Sequence, residues 1–393
     1  MQQLEMTMKP DPRYIHIELT SRQTPRKPDA VCGDLMRVDR TPEAVNIVVS
    51  DGMGSGLRAN IAAELGTTRL LHLMRSGFTM RQAFAQIVHT MRAAPEADLP
   101  YAVFTALRIL PDGHAAILSF EMPAPVLIAG RHTSLITMRP VTVDNEVFLE
   151  GHFPMQRGDH ICIVSDGISQ AGLGNRFPMG WGMERICNFM QSQLDAGISP
   201  ERLPDRLVDT ALKLSQGTTG DDCTAVLVSA RAGRTLTILT GPPADPANTP
   251  MFIRRFLNAD GMKVVCGATT ADLVARELGR PIRNDPLCDS MVAPPHYELE
   301  GIDLVTEGAV TLNQAYRILT ENPAEMEEHS GVTELCQLLL GADRIQIFAG
   351  LAVNPAHNSI AFRQLGILPR QKILPLLHKK LTAIGKLVLI EWL

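Results

Sequence analysis

The chain has 393 residues, 45% of them hydrophobic and 20% charged, with a formal net charge of -5. That balance suits an ordinary folded protein longer than one core usually supports, so two domains are expected. There is no Lys/Arg-rich run to mark nucleic acid or a charged membrane surface as a partner, and no apolar stretch approaches the ~20 residues that span a bilayer. Seven cysteines, at 32, 162, 187, 223, 266, 288 and 336, form no Cys-x-x-Cys pair, which argues against a zinc knuckle or a disulfide framework. The start, Met1-Gln2-Gln3-Leu4-Glu5, lacks the basic and then apolar order of a secretory leader, so the expected location is the cytoplasm.

Residues 14–20 alternate with period 2 and read as a half-buried strand, followed by a polar loop carrying Arg26 and Lys27. Strands are expected again at 33–38 and 45–50. After Gly52-Met53-Gly54-Ser55-Gly56, apolar residues from Ala59 to Met74 recur at helical spacing. A second helix runs from Met80 to about Arg92, with Thr79 as its N-cap. Short β-like runs at 101–109, 114–120, 125–129, 133–138 and 146–149 suggest an antiparallel meander or sandwich. Helices at 183–194 and 200–216 precede a strand from Thr224 to Ala230.

From residue 233 the pattern changes to strands alternating with helices. Strands are expected at 236–239, 263–266, 302–306, 345–349 and 386–391. Helices are expected near 250–258, 269–278, 311–320, 331–340 and 370–383. This alternation argues for a parallel-sheet, Rossmann-like α/β domain over 233–393, after an α+β domain over 1–232. Gly241-Pro242-Pro243, Gly267-Ala268-Thr269-Thr270 and Glu307-Gly308-Ala309 each follow a strand. Thr269 and Thr311 are expected to cap the helices after the last two. Gly267, Thr269 and Thr270 form a candidate anion site of this domain, where a small ligand could bind.

The tetrapeptide Val-Ser-Asp-Gly occurs twice, at 49–52 and 164–167, each time after a β-branched run. Asp-Gly is a common turn pair, but it also holds a carboxylate at a strand tip beside a glycine that allows close approach. With Gly33-Asp34 upstream and Asp221-Asp222 downstream, the tips read as a carboxylate cage for hard cations. Paired divalent cations are one solution to the charge repulsion that protects phosphate monoesters.

Gly33-Asp34, Ser50-Asp51-Gly52-Met53-Gly54-x-Gly56, Gly158-Asp159 leading to Ser165-Asp166-Gly167, and Asp221-Asp222-x-Thr224 come in this order. In that respect the chain resembles the metal-dependent protein serine/threonine phosphatases of type 2C, in their SpoIIE-like bacterial branch, over about residues 12–231. The resemblance implies two antiparallel sheets packed face to face with helices outside, and two Mn²⁺ or Mg²⁺ ions. It makes Asp51 the bridging ligand and gives one ion the Gly52 carbonyl and, mainly through water, Asp34. Asp166 and Asp221 serve the other ion, and Asp222 is a weaker ligand or an orienting group. A metal-bridging hydroxide would be the nucleophile, without a phosphoenzyme. The helix pair after Asp51 would switch the site between metal-poor and metal-bound states.

Departures from the branch are Leu35 for a commoner Ser, Phe120-Glu121-Met122-Pro123 for a Gly-containing run, and Gly151-His152-Phe153-Pro154 for a Leu-Pro-Leu-Gly-like turn. Arg26 or Lys27 could pair with substrate phosphate. The expected function is hydrolysis of phosphoserine or phosphothreonine on a regulatory phosphoprotein, with homodimerisation left open. The alternatives are a phosphatase-like scaffold that binds a phosphoprotein without turnover, and a ligand-sensing module with the phosphatase as its output.

Overall fold

A computed structural model describes residues 8–27, 29–54, 56–95, 99–174, 176–217, 220–284, 297–319, 330–352 and 366–393; Ser55 and Cys288 lie outside them. The chain forms two compact units, one of Ile17–Arg231 and one of Met1–His16 together with Ala232–Leu393.

The first unit contains β1 (Asp11–Thr24) from Ile17 onward, β2 (Leu35–Arg40), β3 (Val45–Gly52), α1 (Leu57–Arg75), α2 (Met80–Ala93), β4 (Ala102–Ile109) and β5 (His114–Phe120). It continues with β6 (Val126–Ala129), β7 (His132–Leu135), β8 (Arg139–Val143), β9 (Glu146–Pro154) and β10 (His160–Val164). The helices α3 (Asp166–Ser169), α4 (Met183–Asp195) and α5 (Leu203–Leu214) lead to β11 (Cys223–Gly233). A six-stranded sheet runs in the order β2-β3-β4-β5-β9-β8 and a five-stranded one in the order β1-β11-β10-β6-β7. Every neighbouring pair of the larger sheet is antiparallel.

Alternation along the strands explains the layers. Val48, Phe104, Leu118 and Phe148 share a core with Leu70, Phe84 and Val88 of α1 and α2. Cys162, Val164, Ala225 and Leu227 pack with Ile186, Leu207 and Ala211 of α4 and α5. The opposite-parity residues Ile47, Val49, Leu107 and Ile117 of one sheet and Ile161, Ile163, Val226 and Val228 of the other are equally buried and lie outside those two cores. Sheets buried on both faces, with helices on one, fit one sheet packing on the other, and the antiparallel sheets with their helices are the α+β architecture expected.

Thr79 caps α2 as read: its side chain accepts from the Gln82 N–H, and the Gln82 side chain returns to the Thr79 N–H. Two expected strand bounds move. The strand expected at 146–149 continues to Pro154 as β9, with Gly151 in register beside Ile117, where a Cβ would crowd both Ile117 and Ile136. The run expected at 133–138 stops at Leu135, and β8 follows it, its alternation obscured by exposed Arg139 and Pro140.

The second unit carries β12 (Thr235–Thr240), α6 (Thr249–Asn258), β13 (Met262–Cys266), α7 (Ala268–Leu278), β14 (Arg283–Asn284), β15 (Tyr297–Glu298) and β16 (Leu304–Thr306). It ends with α8 (Ala309–Ile318), α9 (Gly331–Gly341), β17 (Arg344–Ala349), α10 (Arg370–Ala383) and β18 (Leu387–Trp392). The sheet order is β14-β15-β16-β13-β12-β17-β18. From β16 to β18 all pairs are parallel. The β14 and β15 edge is antiparallel, so the sheet is mixed rather than wholly parallel. One face packs on α6 and α7 through Leu239, Val265 and Phe348, the other on α8 to α10 through Ile238, Val264 and Ile347.

Thr269 and Thr311 do not cap. Gly267 (φ 122°) and Gly308 hold the cap positions, so α7 and α8 start earlier than read and the threonines fall inside the first turn. Among the described residues, no helix is long and apolar enough to cross a membrane.

Candidate metal centre

The two Val-Ser-Asp-Gly copies differ in backbone. In the first, β3 runs through to Gly52, so Asp51 is a strand residue opposite Val103. In the second, β10 stops at Val164 and Asp166 opens α3. Each glycine admits a neighbour that a methyl group would exclude. A Cβ on Gly52 would lie 2.1 Å from the Ala59 carbonyl oxygen of α1, and one on Gly167 would lie 2.1 Å from the Asp222 carbonyl oxygen. The loop before Asp34 is equally tight, since a Cβ on Gly33 would lie 2.7 Å from the Ala59 Cβ and 3.3 Å from the Gly52 carbonyl oxygen.

These contacts gather carboxylates into a poorly hydrated space. Asp34, Asp51 and Asp222 are 3%, 5% and 3% exposed. Burial pushes Asp51 up to about 10, helped by the charges of Asp34 and Asp166, a hydrogen bond shared with Asp166, and the Asp221 charge. Asp34 is pushed up to about 7, again mainly by burial, with the Thr224 and Ser165 hydroxyls opposing and the Asp222 and Asp221 charges adding. Burial raises Asp221 as well; its own hydrogen bond from the Asp222 N–H and the Arg26 charge oppose that shift.

Asp222 plays a different part. Its Oδ1 accepts the Arg26 N–H at 2.6 Å and its Oδ2 the Gly33 N–H at 2.7 Å, so both oxygens are spent on the loop leading to Asp34. This fits an orienting role. Arg26 is exposed, with its charge felt at Asp221, whereas Lys27 contributes its carbonyl to a turn closed by the Ala30 N–H.

Residues not singled out from sequence support the cluster. Gln170 Nε2 donates to Asp166 Oδ2 at 2.9 Å, one helical turn on. Gln23 Nε2 donates to Thr224 Oγ1 at 3.1 Å and to the Asp34 carbonyl at 3.3 Å, and Ser165 Oγ accepts the Thr224 N–H at 2.9 Å. The i to i+4 spacing of Asp166 and Gln170 was a readable signal; the others depend on partners far away in the chain.

Carboxylates and a backbone carbonyl make an all-oxygen donor set, the chemistry hard divalent cations take. Asp34 Oδ2 and Asp166 Oδ1 are buried without a hydrogen-bond partner, and a cation would satisfy both. Among the described residues no three Asp, Glu, His or Cys side chains converge as an ion cage. The residues fit the group.

The antiparallel sheets and their helices make an α+β fold of the PP2C type. A family model described as "Stage II sporulation protein E (SpoIIE)" matches residues 41–231, and that stretch is a SpoIIE-family domain. The match stops at Arg231.

Similar solved structures include the phosphatase domain of the cell fate determinant SpoIIE from Bacillus subtilis, at 17% identity over 56% of this chain and 94% of that one, TM-score 0.42. The RsbU and RsbW domains of a Mycobacterium tuberculosis protein align at 19% identity over 70% and 76%, TM-score 0.45. The SiaA-PP2C domain of Pseudomonas aeruginosa aligns at 15% identity over 58% and 89%, TM-score 0.43. No curated protein matches the chain.

Proposed function

We propose that the N-terminal unit hydrolyses phosphoserine or phosphothreonine on a regulatory phosphoprotein, releasing inorganic phosphate and the free hydroxyl. The supporting observation is the group of buried Asp34 and Asp51 with half-buried Asp166 and Asp221, which carries two orphaned carboxylate oxygens. In this reading Asp51, Asp166, Asp34, Asp221 and the Gly52 carbonyl hold two Mn²⁺ or Mg²⁺ ions. Bound there, divalent cations neutralise phosphate charge and acidify water.

The chain's own residues prepare that chemistry. Burial raises the Asp51 carboxyl, which keeps its proton while no cation is there to replace it. Ser165 and Thr224 hold Asp34, and Gln170 holds Asp166. Asp222 fixes the backbone of Arg26, whose exposed guanidinium is free to meet the substrate's phosphate at the rim. A regulatory partner protein also fits the kind of system named for the neighbours, such as paired RsbU and RsbW domains.

The test is turnover of p-nitrophenyl phosphate and a phosphothreonine peptide with Mn²⁺, with EDTA, and in Asp51→Asn. Turnover with Mn²⁺ that disappears in the other two arms is expected. Equal rates in all three would sink the proposal, and phosphopeptide binding without turnover would favour the scaffold.

A further inference from the structure

The mixed sheet of the second unit has its topological switch between β12 and β17: the chain leaves β12 toward β13 and β16, then returns on the other side through β17 and β18. Ligands of open α/β sheets bind in such crevices, at the carboxyl ends of the strands. What lies at that edge here points to an anion.

Arg370, the first residue of α10, lies at the crevice. Its Nη1 donates to the Thr240 carbonyl at 3.1 Å and to the Gly350 carbonyl at 2.5 Å, the residues that end β12 and follow β17. The guanidinium covers Gly241 so closely that a Cβ there would lie 1.3 Å from Nη1. Nη2 and Nε have no partner among the described residues, and neither is among the fully buried unsatisfied atoms, so that donor edge is open. Burial lowers the Arg370 pKa, and no carboxylate charge acts on it. A structural clamp on two carbonyls would use only Nη1.

The neighbouring helix starts add unpaired donors. α7 and α8 both begin on glycines with no side-chain cap, and the two caps touch, a Cβ on Gly308 falling 3.4 Å from the Gly267 Cα. Thr270, third in α7, accepts the Gly241 N–H at 2.9 Å, which ties this helix start to the strand end beneath Arg370. Thr311, third in α8, is fully buried, and its Oγ1 has no partner. Helical Cα–Cβ bonds tilt toward the N-terminus, so the Thr311 hydroxyl leans toward the Gly308 cap as Thr270 leans toward Gly267. Asn313 in turn exchanges two hydrogen bonds with Leu368, which pins the segment entering Arg370 to α8. Glu307, the acidic residue of the β16–α8 turn, is engaged by the Tyr297 hydroxyl at 3.4 Å.

We propose that this edge is a binding site for a phosphate-bearing small molecule, held by the free guanidinium edge of Arg370, the uncapped first-turn N–H groups of α7 and α8, and the Thr311 hydroxyl; the Gly267 N–H itself is taken by the Thr306 carbonyl at 2.7 Å. The first two supply charge-assisted donors to phosphate oxygens, and the hydroxyl supplies one more.

Pyrophosphate is the probe, titrated calorimetrically into the full-length chain in EDTA, where the metal-free carboxylates of the first unit repel anions. Saturable binding and a raised melting temperature are expected. Arg370→Gln should weaken binding about tenfold or more, as loss of a charged bidentate contact does. Thr311→Val should weaken it a few-fold, roughly one neutral hydrogen bond, while melting no lower than the wild type because it removes an unsatisfied buried hydroxyl. Absence of binding in the wild type, or wild-type affinity in folded Thr311→Val and Arg370→Gln together, would overturn the site.

Discussion

A carboxyl that keeps its proton to about pH 10, as Asp51 does, and a neighbour that keeps it to about pH 7, as Asp34 does, make the metal-free chain sensitive to alkali. Both start from an ordinary value of 3.8 in the unfolded chain. Between the unfolded and folded values the native state binds protons that the unfolded state has released, so stability falls as pH rises. In EDTA, the melting temperature at pH 8.5 should therefore lie below that at pH 5.5, and saturating Mn²⁺ should restore it. A metal-free midpoint that is flat or rises across that range would contradict the raised carboxyls. Asp51→Asn abolishes the cost of protonating this carboxyl on folding, so its metal-free midpoint at pH 8.5 should exceed the wild type's while its gain from Mn²⁺ shrinks. Equal gains from Mn²⁺ in both would exclude Asp51 as a ligand.

Two connections between elements have measurable strengths. Thr79→Ala removes the capping box of α2 and should cost about 1 kcal/mol in urea unfolding. Asp222→Ala releases the Arg26 and Gly33 N–H groups and should cost about 1–3 kcal/mol. If Arg26 meets the substrate, Asp222→Ala should also raise KM more than it lowers kcat; an unchanged KM would detach the loop from substrate binding.

The same elements show what sequence could reveal. α1 and α2 were legible because apolar spacing and a local cap specify a helix within a few residues. The acidic tips were legible because each is a short motif on a β-branched run. β8 was hidden by exposed polar positions, and α3 by an Asp-Gly that reads equally well as a turn. The hydrogen bonds Gln23–Thr224 and Gly33–Asp222 join positions 201 and 189 residues apart, and only the folded sheets bring them together.

At the scale of the molecule, the chain's two tryptophans report on different units. Trp181 is buried in the core beneath α4 and α5, and Trp392 ends β18 against the core of the second unit. In Trp392→Phe, fluorescence follows the first unit; in Trp181→Phe, it follows the second. Mn²⁺ should shift the Trp181-reported transition more, and pyrophosphate the Trp392-reported one. The reverse pattern would contradict both binding assignments.

The tight seats of Gly52 and Gly167 bear on how relatives with lost residues should be read. A methyl group at either position collides with backbone, not with a movable side chain. Replacing these glycines damages the fold before it touches any reaction, so a descendant that abandoned catalysis would still be under pressure to keep them. The aspartates are held by no such constraint, since a metal-free sandwich gains from shedding their charge. An Asp-Gly pair that decays to Asn-Gly or Ser-Gly would therefore mark a domain that has stopped turning over substrate, whereas persistence of the glycine alone says only that the sandwich still folds.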